Sequence, residues 1–390
     1  MLDFSRVGFD ASIRLQMHEG FRLTTKYPMR KLLSLASMLR GSKAPVYGTS
    51  NVQVIKSGQA RGFHEFDFTN RYYLAEGVEL DERKLQKGDL LINSLGVGTA
   101  GRVTAFDLDG DYVADSTITI FRPNNEILSE YVLVALGCGI GFKALEKMAV
   151  GATGQVSIKL DTIRNLEIPL PPMEIQRQIV SECAKVDALA NSLNSRISFC
   201  RTQIEALFRE LEAQPSIARL AFDDKRAFTL AIGKRVLNSE LVPDGKIPVF
   251  SANVIEPFGY VNELLKGFED FTLPSVQWGI DGDFMVSFMH NNKPFYPTDH
   301  CGVLRVLTEK LHPRYAARVL EREGNSLGFS RSYRASLDRV GRITFDVPAV
   351  EAQNATMNEV LRLEREITQA RIELEGLSGN KGAILKKYLQ

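Results

Sequence analysis

The sequence predicts an α+β protein: two globular units of mixed helix and strand, with two long amphipathic helices that pack on each other. Two observations predict it. Residues 174–211 keep an apolar seam at alternating steps of four and three, and the chain matches itself at an offset of 177 positions. The boundaries that follow are a first unit at 1–168 with a polar lead at 1–28, a long helix at 169–215, a second unit at 216–346 and a second long helix at 347–390.

The seam of the first helix is Ile179, Cys183, Val186, Ala190, Leu193, Ile197, Cys200, Ile204, Leu207 and Leu211. A period of 3.5 sustained over several heptads is a coiled-coil signal. At 1.5 Å rise per residue the helix is about 57 Å long. The stripe is too narrow for a helix buried on all sides, so it requires a partner helix. Leu170, Pro171 and Pro172 precede it, and proline is tolerated in a first helical turn while ending the strand before it.

The self-match supplies the partner. Leu170-Pro171 falls on Val347-Pro348, Glu174 on Glu351, Gln176 on Gln353, Leu160-Asp161 on Leu337-Asp338, and Gly151 on Gly328. The second seam reads Val360, Leu363, Ile367, Ala370, Leu374, Leu377, Ile384 and Tyr388, interrupted at Thr356 and Lys381. Gly376, Gly379 and Gly382 each cost about 1 kcal/mol in a helix relative to alanine. Bending or fraying is therefore expected after Leu374. Two unrelated amphipathic helices would also give two seams, but not matched entrances on one offset.

The 390 residues are 44% hydrophobic and 24% charged, within the range of globular proteins, and they suit two or three domains. No apolar run approaches the ~18 to 20 residues of a membrane span, and the first residues carry no apolar signal core, so a cytoplasmic location is expected. Cys138, Cys183, Cys200 and Cys301 form no Cys-x-x-Cys pair and read as small buried hydrophobes in a reducing compartment. The net charge of +1 conceals an uneven distribution. Residues 1–62 hold ten Lys/Arg against three Asp/Glu, and residues 305–342 nine against four. Local basic faces of this kind suit nucleic acid, although a solvated surface would give the same counts.

Along the first unit, KAPVYGTSNVQV reads as a turn-rich strand region, KGD as a turn into the strand LLI, and SLGVGTAG as a glycine-rich turn before another strand. DYVADSTITIFRP reads as a strand. ILSEYVLVALGCGIGFKALEKMA reads as helix, and GATGQVSIKLDTIRNLEIPLPP as loop, short helix and strand. The second unit repeats the order. IPVFSANV falls near APVYGTSNV, PSVQWGIDGDFMVSF takes the place of the LLINSLGVGTAGRV region, and YPTDHCGVLRVL that of YVADSTITIF, with Asp299 on Asp115. The loops differ while the closing helices keep register, which suits a fixed scaffold carrying two variable heads.

Catalytic motifs are lacking. No Asn/Asp-Pro-Pro-Tyr/Phe loop and no Walker loop is present. Gly96, Gly98 and Gly101 match Gly-x-Gly-x-x-Gly, but a strand rather than a helix is expected to follow, so the nucleotide-binding context fails. The five histidines lack ligand spacing, and His300, beside Cys301 in an expected strand, reads as packing. Neither a catalytic nor a metal site is expected, and the chain reads as a binder.

Taken with its long helix, IPLPPMEIQRQIV resembles the specificity subunit of a type I DNA restriction-modification system. The degenerate second copy VPAVEAQNATMNEV, the lead-in GATGQVSIKLDTIRNLEIP and the strings KGDLLINS and PTDHCGVLRV carry the same resemblance, which covers nearly the whole chain from Pro28. The second motif departs from the first at Ala349, where the first has Pro172. The resemblance implies two target-recognition domains, each reading one half of a bipartite double-stranded DNA site. The long helices would form an antiparallel coiled-coil spacer, with Val186, Leu193, Ile197, Ile204, Leu363, Ile367 and Leu374 at its interface. It also implies two modification subunits that carry S-adenosylmethionine and methylate adenine. Restriction subunits, where the system has them, would carry ATP and Mg. This chain would bind no cofactor and perform no catalysis.

Base readout favours Arg, Lys, Asn, Gln and hydroxyl side chains on loops. In the first unit these are Lys43, Thr49, Ser50, Asn51, Arg61, Gln155 and Lys159. In the second they are Asn253, Trp278, Lys293, Ser330, Arg331, Tyr333 and Arg334, with Ser332 in the same loop. A coiled-coil adaptor between proteins, with no role on DNA, is the alternative the sequence leaves open.

Overall fold

The computed structural model describes residues 25–43, 45–96, 98–138 and 157–390. The polar lead, apart from residues 25–28, and the site candidate Gln155 lie outside them. Two compact units emerge, Met1–Ser195 with Ala370–Gln390 and Arg196–Gln369, so each unit takes a share of both long helices.

The first unit opens with β1 (Met29–Lys31), α1 (Leu32–Leu35) and β2 (Ala36–Arg40). It continues through β3 (Gln53–Ile55), β4 (Ala60–Gly62), β5 (Glu65–Phe66), β6 (Leu90–Asn93), β7 (Val103–Ala105), β8 (Tyr112–Ala114) and β9 (Ile118–Pro123). Then come α2 (Ser129–Gly137), α3 (Leu160–Arg164), β10 (Glu167–Pro169) and the long α4 (Met173–Glu212), which ends in the second unit. The main sheet has the order β2-β9-β6-β7, all antiparallel; β3 and β8 pair in parallel, and β1 pairs with β10. One face of the sheet packs on α2 and the long helices in a core that includes Leu90, Ile92, Phe121, Tyr131, Ile179, Cys183, Leu385 and Leu389.

The second unit contains β11 (Ser216–Ala221), β12 (Phe228–Ile232), β13 (Ile247–Phe250), β14 (Gly259–Val261), β15 (Ser275–Gly279), β16 (Val286–Met289), β17 (Tyr296–Pro297) and β18 (Cys301–Val306). After them come α5 (Pro313–Ser326), α6 (Leu337–Gly341), β19 (Thr344–Pro348) and α7 (Val350–Gly376), with α8 (Asn380–Leu389) completing the first unit. Its sheet has the order β12-β18-β15-β16; β13 pairs with β17 in parallel, and β11 with β19. The main sheet, the parallel pair and the pair that precedes the long helix thus recur in both units, while β4 pairs with β5 in the first and β14 with β13 in the second.

Pairing register corrects the alignment expected from sequence. Val54 pairs with Val113, and Val249 with Tyr296, so 247–250 corresponds to the strand around 53–55 rather than to the segment at 44–47. The amides of Asp115 and Thr298 donate to Ile55 O and Phe250 O respectively, so Thr298, not Asp299, occupies the place of Asp115. The string DYVADSTITIFRP is two strands, β8 and β9, separated by a turn at Asp115 whose carboxylate accepts from Thr117 N. His300 lies just before β18, not within it. A strand, β7, does follow the glycine-rich loop, in which Gly96, Gly98 and Gly101 all have positive φ.

The long helices run antiparallel where they meet. In the first unit Glu182 Oε1 lies 2.9 Å from Lys387 Nζ, and Asp187 Oδ1 2.5 Å from Lys381 Nζ. In the second, Arg196 pairs with Glu366 at 3.4 Å, while Phe208 and Leu211 share a core with Met357 and Val360. The seam residues Leu193, Ile197, Leu363, Ile367 and Leu374 are buried; Val186 and Ile204 are half-buried. The second helix breaks after Gly376 and resumes at Asn380, with Gly379 at φ +84°. The break shifts the stripe, so Leu385 and Leu389 are the fully buried positions and Ile384 and Tyr388 flank them.

The matched glutamines explain how each long helix is seated. Gln176 is fully buried; its Oε1 accepts from Leu128 N at 2.9 Å, and its Nε2 donates to Glu126 O and Pro171 O, both at 3.0 Å. Gln353, equally buried, accepts from His312 N at 2.8 Å and donates to Lys310 O at 3.0 Å and Pro348 O at 2.8 Å. In both units one side chain ties the helix entrance to the turn before α2 or α5.

His312 also caps α5, its Nδ1 accepting from Arg314 N at 3.1 Å. Burial, and then the nearby Arg314, hold its pKa below the ordinary 6.5. The folded state therefore disfavours the proton that the unfolded chain accepts. The contribution of His312 to stability is fully present above about pH 6.5 and is lost as the pH falls below it, until the folded group protonates too. Thermal unfolding of the full chain should show a second-unit transition that drops between pH 7.5 and 5.5, and His312→Asn should flatten that drop.

Candidate nucleic-acid interface

In each unit four chain segments converge at one end of the main sheet. β2 ends at Arg40 opposite Thr119 near the start of β9, and Asn93 at the end of β6 lies opposite Ile118. The segment before α3 joins them, because Ile158 N donates to Ser94 O at 2.8 Å. The second unit repeats this. Ile232 lies opposite Gly302, Gly279 opposite Cys301, and Ala335 N donates to Ile280 O at 2.8 Å. Glycine is required where the first segment turns over its neighbour: a Cβ on Gly41 would sit 2.1 Å from Asp115 O, and one on Gly233 1.7 Å from Pro297 O.

At this end of the first unit lies a concavity of 760 Å³ lined by Arg40, Ser42, Lys43, Arg83, Ser94, Ser116, Ser157 and Lys159, with Gly41, Leu95 and Ile158. Four cations and four hydroxyls face it, and none of the described lining residues is a carboxylate. Arg83 pairs with Asp81, but Arg40, Lys43 and Lys159 form no ion pair among the described residues. The Arg40 guanidinium donates to Ile158 O at 2.8 Å, which fixes it in the wall, and burial lowers its pKa. Donors of this kind, without counter-ions, suit phosphate oxygens.

In the second unit the corresponding end carries a cavity of 580 Å³ between Gly282-Asp283 and Ser330-Arg331-Ser332. Tyr333 stacks on Phe329 with ring centroids 5.5 Å apart, and the Arg339 guanidinium lies 4.2 Å from the Tyr333 ring centroid. Arg334 Nη2 lies 3.5 Å from Asp281 Oδ2, and His300 Nδ1 3.0 Å from the same oxygen.

The structure thus gathers some candidates and separates others. Lys43 and Lys159 share the first concavity, and Ser330 and Arg331 line the second, with Tyr333 and Arg334 in the same exposed loop. Thr49, Ser50 and Asn51 lie in a loop held against residues 73–74, outside the concavity. Arg61 is bonded to Asp67 at 2.6 Å, and this contact lowers the pKa of the Asp67 carboxyl. Asn253 caps its own turn by accepting from Ile255 N and Glu256 N, and Lys293 is exposed beside Asn292 at φ +56°. Trp278 must be removed from the set. It is fully buried, its indole N–H donates to Ala335 O at 2.8 Å, and its ring fills the space left by Gly302. Arg40, Ser42, Arg83, Ser94, Ser116 and Ser157 were missed; the run Arg40-Gly41-Ser42-Lys43 was the available signal.

The solved structures this fold resembles are type I S subunits. One is the crystal structure of the S subunit from M. genitalium, at 16% identity and TM-score 0.58, covering 95% of this chain and 98% of that one. Another comes from a study of complex assembly and conformational transition of the type I R-M system, at 12% identity and TM-score 0.59, covering 95% and 99%. Residues 42–198 match the family described as Type I restriction modification DNA specificity domain. Similar sequences include putative type I restriction enzyme specificity subunits of Haemophilus influenzae, 29% identical over 32% of each chain, and of Methanocaldococcus jannaschii, 25% identical over 38% of this chain and 36% of that one. Each alignment spans about a third of the relative's length. The family match covers residues 42–198, and the likeness of fold to the solved S subunits extends over 95% of the chain.

No helix among the described residues is long and apolar enough to cross a membrane. No group of three or more His, Cys, Asp or Glu among them could hold a metal ion.

Proposed function

We propose that this chain is the non-catalytic address-reading subunit of a type I DNA methyltransferase, binding double-stranded DNA with the loop ends of its two units. Each unit reads one half of a bipartite site, and the paired long helices set the number of unread base pairs between the halves. Two modification subunits bring S-adenosylmethionine and methylate adenine. Restriction subunits, where the system has them, bring ATP and Mg. The assembly works in the cytoplasm.

The observation that carries this reading is the trio Arg40, Lys43 and Lys159, three cations with no ion pair among the described residues, around one concavity whose described lining also holds Arg83 and four serines and no carboxylate. Such a cluster is unfavourable unless an anion completes it, and a phosphate backbone supplies anions in series.

The test is methylome sequencing of a host with and without the gene, beside salt titration of DNA binding by the purified chain. A methylated bipartite motif that vanishes with the gene, and an affinity that falls steeply with salt, are expected. An unchanged methylome with partner binding indifferent to salt would instead make the chain a protein adaptor.

A further inference from the structure

The two loop ends share a scaffold but differ in side chains, and one difference is a pair. In the first unit Leu95 and Ser157 face each other across an isolated antiparallel bridge at the rim of the concavity. In the second unit the same two positions are held by Asp281 and Arg334. The correspondence follows from hydrogen bonds: Ile158 N to Ser94 O in one unit, Ala335 N to Ile280 O in the other. Where the first unit has an apolar and a small side chain, the second has an acid holding an arginine.

Arg334 is held from several sides. Its carbonyl accepts from Arg339 Nη1 at 2.8 Å and from Ser336 N at 2.9 Å, and its neighbour Ala335 is bonded to the end of the sheet. Asp281 Oδ2 lies 3.5 Å from the guanidinium, and His300 Nδ1 lies 3.0 Å from that oxygen. The side chain is still half exposed, so its remaining N–H groups can reach a partner. Arg331, three residues earlier, makes no ion pair among the described residues and lines the adjoining cavity.

An arginine that only grips phosphate gains little from a neighbouring carboxylate, which weakens its attraction for anions. An arginine that reads a base gains a great deal. Bidentate donation to guanine O6 and N7 needs the planar fork at one angle, and a carboxylate behind it sets that angle.

Resting on the DNA-binding reading above, we propose that Arg334, oriented by Asp281, reads a guanine in the half-site bound by the second unit. The first unit, with Leu95 and Ser157 at these positions, has no such reader, and the two half-sites differ at the corresponding base. Arg331 serves the backbone rather than a base.

The experiment is selection from randomised duplex DNA by the full-length chain assembled with its modification subunits, comparing wild type with Arg334→Ala, Arg334→Lys, Asp281→Asn and Arg331→Ala. For Arg334→Ala, one guanine of one half-site should lose preference by about tenfold or more, with the other half-site unchanged. Arg334→Lys should recover affinity but only part of that preference, because lysine lacks the rigid planar fork that a carboxylate can orient. Asp281→Asn should weaken the preference in part. Arg331→Ala should lower affinity for all sequences alike. Unfolding midpoints matching wild type exclude misfolding as the cause, and Asp281→Asn tests the same pairing from its other side. An unaltered motif in both Arg334 variants and in Asp281→Asn overturns the proposal and leaves the DNA reading intact. Failure of the wild-type assembly to select any sequence overturns that reading, and this proposal with it.

Discussion

Replacing Gln176 with leucine is expected to destabilise the first unit by about 3–5 kcal/mol, since a buried donor or acceptor without a partner costs about 1–3 kcal/mol. The leucine fills the same volume but abandons three backbone groups: Leu128 N–H, Glu126 O and Pro171 O. The bond to Pro171 O is buried and the other two are partly buried. Gln353→Leu should do the same to the second unit, where His312 N–H, Lys310 O and Pro348 O lose their partner. Gln178→Leu, on the exposed face of the same helix, should change stability by less than about 0.5 kcal/mol. Denaturant unfolding of the full chain, with hydrogen exchange at the amides of 128–137 and 312–326, assigns each loss to its unit. A cost under about 1 kcal/mol for both buried glutamines would mean that other contacts seat the helices.

A combined Arg40→Ala, Lys43→Ala and Lys159→Ala variant should bind DNA about a hundredfold more weakly at 0.15 M salt. It should also flatten the slope of log K against log salt by about 2–3, since each phosphate contact contributes about 0.9. Lys43 and Lys159 are exposed, so their removal leaves the fold intact. Arg40 gives up one bond to Ile158 O, and the unfolding midpoint controls for that. The loss should fall evenly across sequences, because phosphate contacts hold the duplex without reading it. Fluorescence titration from 50 to 300 mM salt measures both quantities. An unchanged slope would place the DNA elsewhere on the unit.

What the sequence disclosed follows from the range of the interactions involved. The long helices were legible because their seam repeats every few residues, and so was the break near Gly379. The repeat entrances were legible because Gln176 and Gln353 do the same work in both copies. Sheet order was not, because β2 pairs with β9 some eighty residues away and no local pattern encodes that choice. Alignment by composition placed Pro248-Val249 on Pro45-Val46, whereas strand register relates Val249 to Val54. Trp278 looked like a surface reader because a lone indole has both a flat face and a donor. Only the pairing of β15 with β18, which sets Gly302 beneath the ring, made it core. Arg40 and Arg83 stand far apart in sequence and meet only at the end of a folded sheet.

The ties that hold each loop end are bonds between peptide groups: Ile158 N to Ser94 O in one unit, Ala335 N to Ile280 O in the other. Every amino acid except proline brings both of those groups. Substitution can therefore rewrite the outward side chains while the frame that presents them stays unchanged.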